Sequence, residues 1–66
     1  MNEMAKIHDR CLGYEMEILS AAENFGDRRN KAYKSRRKEK YKDIIPLLET
    51  IISNAEIYKE YLENDI

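Results

Sequence analysis

Two apolar series organise the chain. Met4, Ile7, Cys11, Tyr14, Ile18, Ala21 and Phe25 recur at alternating steps of three and four, the spacing that keeps one stripe of a helix turned toward a partner. Ala5, Leu12 and Leu19 each stand one residue beyond a seam position, which puts them about 100° further round the helix. The pattern predicts a helix over about 3–25 whose apolar arc is wide enough to meet two neighbours. Asn2 suits its N-cap, and Gly26 suits a left-handed residue that ends it. Gly13 falls on the polar side, where it costs about 1 kcal/mol relative to alanine for no reason the sequence supplies.

The second series is Tyr41, Ile44, Leu48, Ile51, Ala55, Tyr58 and Leu62, widened at its start by Ile45, Leu47 and Ile52. Its back is polar, except for Ile57, which is expected to face water. Pro46 interrupts this pattern, because inside a helix it removes a backbone hydrogen bond and crowds the preceding turn. Two readings follow. Asp43 caps a new helix with Pro46 in its first turn, or one helix runs from about 28 to 63 and kinks at Pro46. The break ahead of Pro46 is the preferred reading, giving a helix over about 43–63.

Between the two series the chemistry changes. Residues 27–42 hold nine bases, Arg28, Arg29, Lys31, Lys34, Arg36, Arg37, Lys38, Lys40 and Lys42, against Asp27 and Glu39. That is +7, so the rest of a chain of net charge −1 carries −8. Running the second series backwards reaches Arg37 and Lys34, so 28–40 has no apolar stripe and only Ala32 and Tyr33 to offer a core. A tight hairpin at Gly26 would lay the apolar face of the first helix on this charged stretch. Two arrangements avoid that. Residues 27–40 form a loop or short exposed helix that lets 41–62 fold back, or 41–62 packs on another protomer.

The expected fold is therefore all-α, with two long amphipathic helices antiparallel, with or without a short basic helix between them, in a dimeric helical bundle. The chain is one domain, 1–66: a helix over about 3–25, a basic exposed segment 27–42 and a helix over about 43–63. Core or dimer positions are Met4, Ile7, Cys11, Tyr14, Ile18, Phe25, Ile44, Leu48, Ile51, Tyr58 and Leu62. Length supports the homodimer, since 66 residues bury only about 60% of the surface of the unfolded chain, and such chains gain from a partner subunit. Cys11 is the only cysteine, which excludes an intrachain disulfide and fits a reducing, cytoplasmic setting. No apolar run approaches the roughly 18 residues of a membrane span, and no apolar h-region of a secretory signal is seen.

Candidate chemistry is sparse. His8 and Cys11 lie three apart, but a zinc site needs about four ligands and no second Cys or His exists. The glutamates fall on polar faces, and Gly13 and Gly26 do not make a phosphate loop. No enzyme activity, cofactor or metal is expected. The basic segment is the remaining candidate. Lys34 with Lys38, Arg36 with Lys40, and Lys38 with Lys42 are like-charge i,i+4 pairs that repel in an isolated helix and are relieved beside an anion. With Tyr33 and Tyr41 interleaved, the expected contact set is Arg28, Arg29, Lys31, Tyr33, Lys34, Arg36, Arg37, Lys38, Lys40, Tyr41 and Lys42. The anion is an acidic protein surface or, as the alternative, RNA or DNA phosphates. A basic-leucine-zipper arrangement is excluded by the missing asparagine-to-arginine spacing, the non-leucine seam and Pro46. The expected function is a small non-catalytic regulator or adaptor that self-associates and binds a protein, in the manner of phage or mobile-element inhibitors and accessory factors. Glu56, Glu60, Glu63 and Asp65 make an acidic end that could meet the basic segment of a neighbour.

Overall fold

The computed structural model describes residues 2–66, which are helical almost throughout, with no strand among them. Helix α1 (Glu3–Glu23) starts at Asn2, whose side-chain oxygen accepts the Ala5 N–H at 3.2 Å. It ends at Asn24, which is a break rather than a stop. The Asn24 N–H bonds the Ala21 carbonyl at 3.2 Å, its side-chain amide donates to the Ser20 carbonyl at 3.0 Å, and the Arg28 N–H returns to the Asn24 carbonyl at 3.1 Å. Helix α2 (Phe25–Ser35) therefore follows α1 with no connecting loop.

Gly26 is not the left-handed residue that the sequence pattern suggests. It lies inside α2 with an ordinary φ, and Arg36 is the one residue with positive φ among those described, at 58°. The helix continues past Gly26 because α2 has its own packing surface: Ala32 is only 1% exposed, and α2 lies against the segment that returns after the turn. Ser35 secures the turn. Its hydroxyl donates to the Ala32 carbonyl at 2.7 Å and accepts the Arg37 N–H at 3.2 Å, compensating for a backbone that a non-glycine residue adopts at a cost.

After the turn, a 3-10 helix (Lys38–Ile44) runs directly into α3 (Ile45–Asn64). Pro46 sits in the first turn of α3, where its missing N–H leaves nothing unpaired. Asp43 is not the cap. Ile44 holds that position with no side-chain bond, and the Asp43 carboxylate lies 4.0 Å from Lys40 instead. The 3-10 helix already supplies the preceding turn, so α3 starts without needing a side-chain cap.

Helices α1 and α3 pack side by side and run antiparallel. Arg10 meets Tyr61 and Glu15 bonds Tyr58, so partner numbers fall as α1 numbers rise, and the trend continues beyond them where Arg28 of α2 reaches Asp43 of the 3-10 helix. Ile7, Cys11, Tyr14, Ile18 and Ala21 face Ile44, Leu47, Ile51, Asn54, Tyr58 and Tyr61, all at least partly shielded from solvent. On α3 the seam is displaced by about 60° from the series read in the sequence. Leu47, Asn54 and Tyr61 occupy it, while Leu48, Ala55 and Leu62 are exposed. The displacement follows from the rings: Tyr58 and Tyr61 both turn toward Tyr14, and three aromatics bury more area than the aliphatic alternative.

The chain forms a single layer. Its Cα atoms span 52 × 18 × 9 Å, and among the described residues only Ala21, Ala32 and Leu47 are buried. Met4 is also exposed, so Met4, Leu48 and Leu62 belong to no core within one chain.

Candidate interaction surfaces

The seam leaves a second apolar stripe on each long helix. On α3 it comprises Ile45, Leu48, Ile52, Ala55 and Leu62, all exposed, about 100° round from the seam. On α1 it comprises Leu12, Leu19 and, at its edge, Met16, likewise exposed, roughly 110–170° round. Viewed with α1 running away and α3 approaching, successive residues advance clockwise on α1 and anticlockwise on α3. Both stripes thus come round to the same broad side of the layer. The opposite side is mixed: Arg10, Gly13, Tyr14, Glu17 and Asn54 line one shallow hollow there, and Glu3, Lys6, Asp9, Arg10 and Asp65 line another with Ile7 and Tyr61.

An aromatic cluster fixes the seam between these sides. Tyr14 stacks on Tyr58 with centroids 5.4 Å apart and meets Tyr61 at 5.7 Å, and the Arg10 guanidinium lies 5.3 Å above the Tyr61 ring. The Tyr58 hydroxyl donates to the Glu15 carboxylate at 2.6 Å. Because that bond holds the phenol proton, with a lesser contribution from Cys11, Tyr58 ionises well above the ordinary tyrosine range. The same cluster holds Arg10 in its charged form, first through Tyr14. Tyr61 was not among the residues that the sequence singles out. The signal for it was the i,i+3 pair Tyr58 and Tyr61, which share a helix face. Among the described residues there is no group of three or more His, Cys, Asp or Glu placed to hold a metal ion.

The basic segment folds into the far tip of the rod, built from α2 and the 3-10 helix packed together. Its cations fall into two sets. Arg28 is half-buried and donates to the Asp43 carbonyl at 2.7 Å, so it clasps α2 to the 3-10 helix rather than facing solvent. Lys31 pairs with Asp27 at 3.2 Å, Arg37 with Glu39 at 3.0 Å and Lys40 with Asp43 at 4.0 Å. Arg29, Lys34, Arg36, Lys38 and Lys42 have no carboxylate within 4.0 Å among the described residues. Tyr33 is 75% exposed on α2, and Tyr41 is exposed on the 3-10 helix. The structure thus gathers ten of the eleven expected contact residues on one solvent-facing tip and assigns the eleventh, Arg28, to the framework.

No helix is long and apolar enough to cross a membrane. Comparison with protein-family models, curated proteins and solved structures yields no match.

Proposed function

We propose that this chain is a non-catalytic helical binding module that self-associates through its apolar side into a dimeric bundle and engages an acidic protein surface with its basic tip. One observation carries the reading: both leftover apolar stripes lie on the same side of a protein one helix-layer thick. Stable domains place a second layer over such a face, and a second copy supplies one made of the same side chains. The tip supports the binding half. Five cations with no carboxylate within 4.0 Å among the described residues offer charge-assisted hydrogen-bond donors to carboxylates, and the exposed Tyr33 offers apolar area and a hydroxyl to the surface around them.

Sedimentation over the micromolar range tests self-association. Leu48 and Ile52 are about half exposed, so covering the remainder is worth about 1 kcal/mol each. Four such side chains in a dimer give about 4 kcal/mol, roughly a thousandfold in Kd. The doubly substituted Leu48→Lys, Ile52→Lys protein should therefore sediment as a monomer where the parent is a dimer. A compact parent monomer at these concentrations contradicts the proposal. RNA or DNA is the competing ligand for the tip. Micromolar binding of either near about 100 mM salt, falling steeply as salt rises and lost on changing Arg36, Arg37 and Lys38 to glutamine, would replace the acidic protein with nucleic acid.

A further inference from the structure

We infer that two copies pair with their rods antiparallel, so that the dimer carries a basic tip at each of its two ends and can bridge two acidic partners. The inference rests on the self-association proposed above and adds to it direction and valency. A face-to-face pair has two symmetric solutions. With the two-fold axis along the rod, the copies are parallel and α1 lies across from the partner's α3. With the axis across the rod, they are antiparallel, and each helix lies across from its own counterpart.

Charge separates the two. Residues 27–42 carry +7 and occupy one end of a molecule 52 Å long. The other end brings together the start of α1 and the last turns of α3, with Glu3, Glu60, Glu63 and Asp65 exposed. A parallel pair sets tip against tip, within reach of mutual repulsion at physiological salt. An antiparallel pair sets each tip beside the acidic end of its partner. The leucines of each stripe are compatible with this arrangement, being evenly placed about a central point, although Ile45, Ile52 and Met16 are not matched in the same way. On α3, Leu48 and Leu62 lie seven residues either side of the small Ala55. On α1, Leu12 and Leu19 flank residues 15 and 16. The Glu15–Tyr58 bond places those two centres within about one helical turn of each other, so a two-fold axis near that level brings the leucines of both helices close to their counterparts.

The geometry makes a measurable difference. Tyr33 lies about 25 Å along the helix from that centre, so two Tyr33 positions stand about 50 Å apart in the antiparallel dimer. In a parallel dimer they stand side by side, within roughly 25 Å given helix spacings of 8–10 Å. Spin labels on Tyr33→Cys in a Cys11→Ala background, read by double electron–electron resonance on a sample shown by sedimentation to be dimeric, should give the long distance. A short distance from a dimeric sample overturns the antiparallel arrangement and leaves self-association standing. Sedimentation as a monomer overturns both. Independently, Ala55→Cys in the otherwise unaltered chain should form a 55–55 disulfide between copies on mild oxidation, identified by mapping the linked peptides. A dimer in which residue 55 never links to itself argues against the inference even where the labelled variant does not fold.

Discussion

Exchanging one glycine for another position gives a sharp test of where the chain turns. If the helix ended at Gly26 in the left-handed region, alanine there would cost about 1–2 kcal/mol. The structure reverses that sign. Gly26 has an ordinary φ within α2, and a Cβ added to it meets only the Arg29 guanidinium at 3.8 Å, an ordinary contact. Gly26→Ala should therefore stabilise the fold by about 0.5–1 kcal/mol, the helix-interior difference between the two residues. At Arg36, φ is 58° and ψ is 26°. Glycine there relieves about 1–2 kcal/mol of strain but adds freedom to the unfolded chain, returning roughly 0.5–1 kcal/mol. The net gain is about 0.5 kcal/mol. The combined Gly26→Ala, Arg36→Gly protein should gain about 1–1.5 kcal/mol, because the sites are ten residues apart and share no partner. For a chain of this size that raises Tm by about 5–10 °C. Circular dichroism melts at one fixed protein concentration measure it, since the Tm of an associating protein depends on concentration. A lower Tm for Gly26→Ala would refute the placement of the turn, whatever Arg36→Gly does.

Three further outcomes follow from the same contacts. Gly13→Ala should stabilise by about 0.5–1 kcal/mol, since its added Cβ meets nothing within 4 Å; a loss of Tm would mean that another chain approaches the backbone there. Leu47→Ala should cost about 2–3 kcal/mol in chemical denaturation, at the low end for a leucine because only a thin layer surrounds it. Tyr58 ionises above its ordinary value of 10.0 in the folded protein, so its contribution is whole below pH 10 and is lost as pH rises beyond it. The Tm of the parent should accordingly fall more steeply above pH 10 than that of Tyr58→Phe, and equal slopes would show that the bond to Glu15 does not matter.

The sequence was most informative where periodicity and chemistry agreed. The α1 seam from Ile7 to Ala21 needs only the spacing of three and four, whereas in residues 28–40, which have no apolar stripe, Ala32 is nonetheless buried where α2 meets the 3-10 helix. It was less informative in two places, each for a physical reason. Helix α3 is apolar over more than half its circumference, so spacing alone cannot choose between the stripe of Leu47 and that of Leu48. Three tyrosines from two distant segments make that choice. The sequence pattern places the end of the first helix at Gly26, because glycine is the usual left-handed residue. The actual turn falls where packing against the 3-10 helix ends, and a hydrogen-bonded Ser35 allows Arg36 to take the strained conformation. Arg28 shows the same limit at the tip: nothing in a run of bases says which one will find a backbone carbonyl 15 residues away.

The 3-10 helix has a consequence for the phase of everything after it. Each residue there turns the chain by about 120° instead of 100°, so its seven residues rotate the start of α3 by about 140° more than an α-helix of equal length would. Residue count and winding in 38–44 therefore act as a dial that selects which stripe of α3 is turned inward. Deleting one residue from this segment would bring Leu48, Ile52, Ala55 and Leu62 to the positions now held by Leu47, Ile51, Asn54 and Tyr61. The outer stripe of α3 would become its seam and the present seam would turn toward the opposite broad side, without altering a single residue of α3.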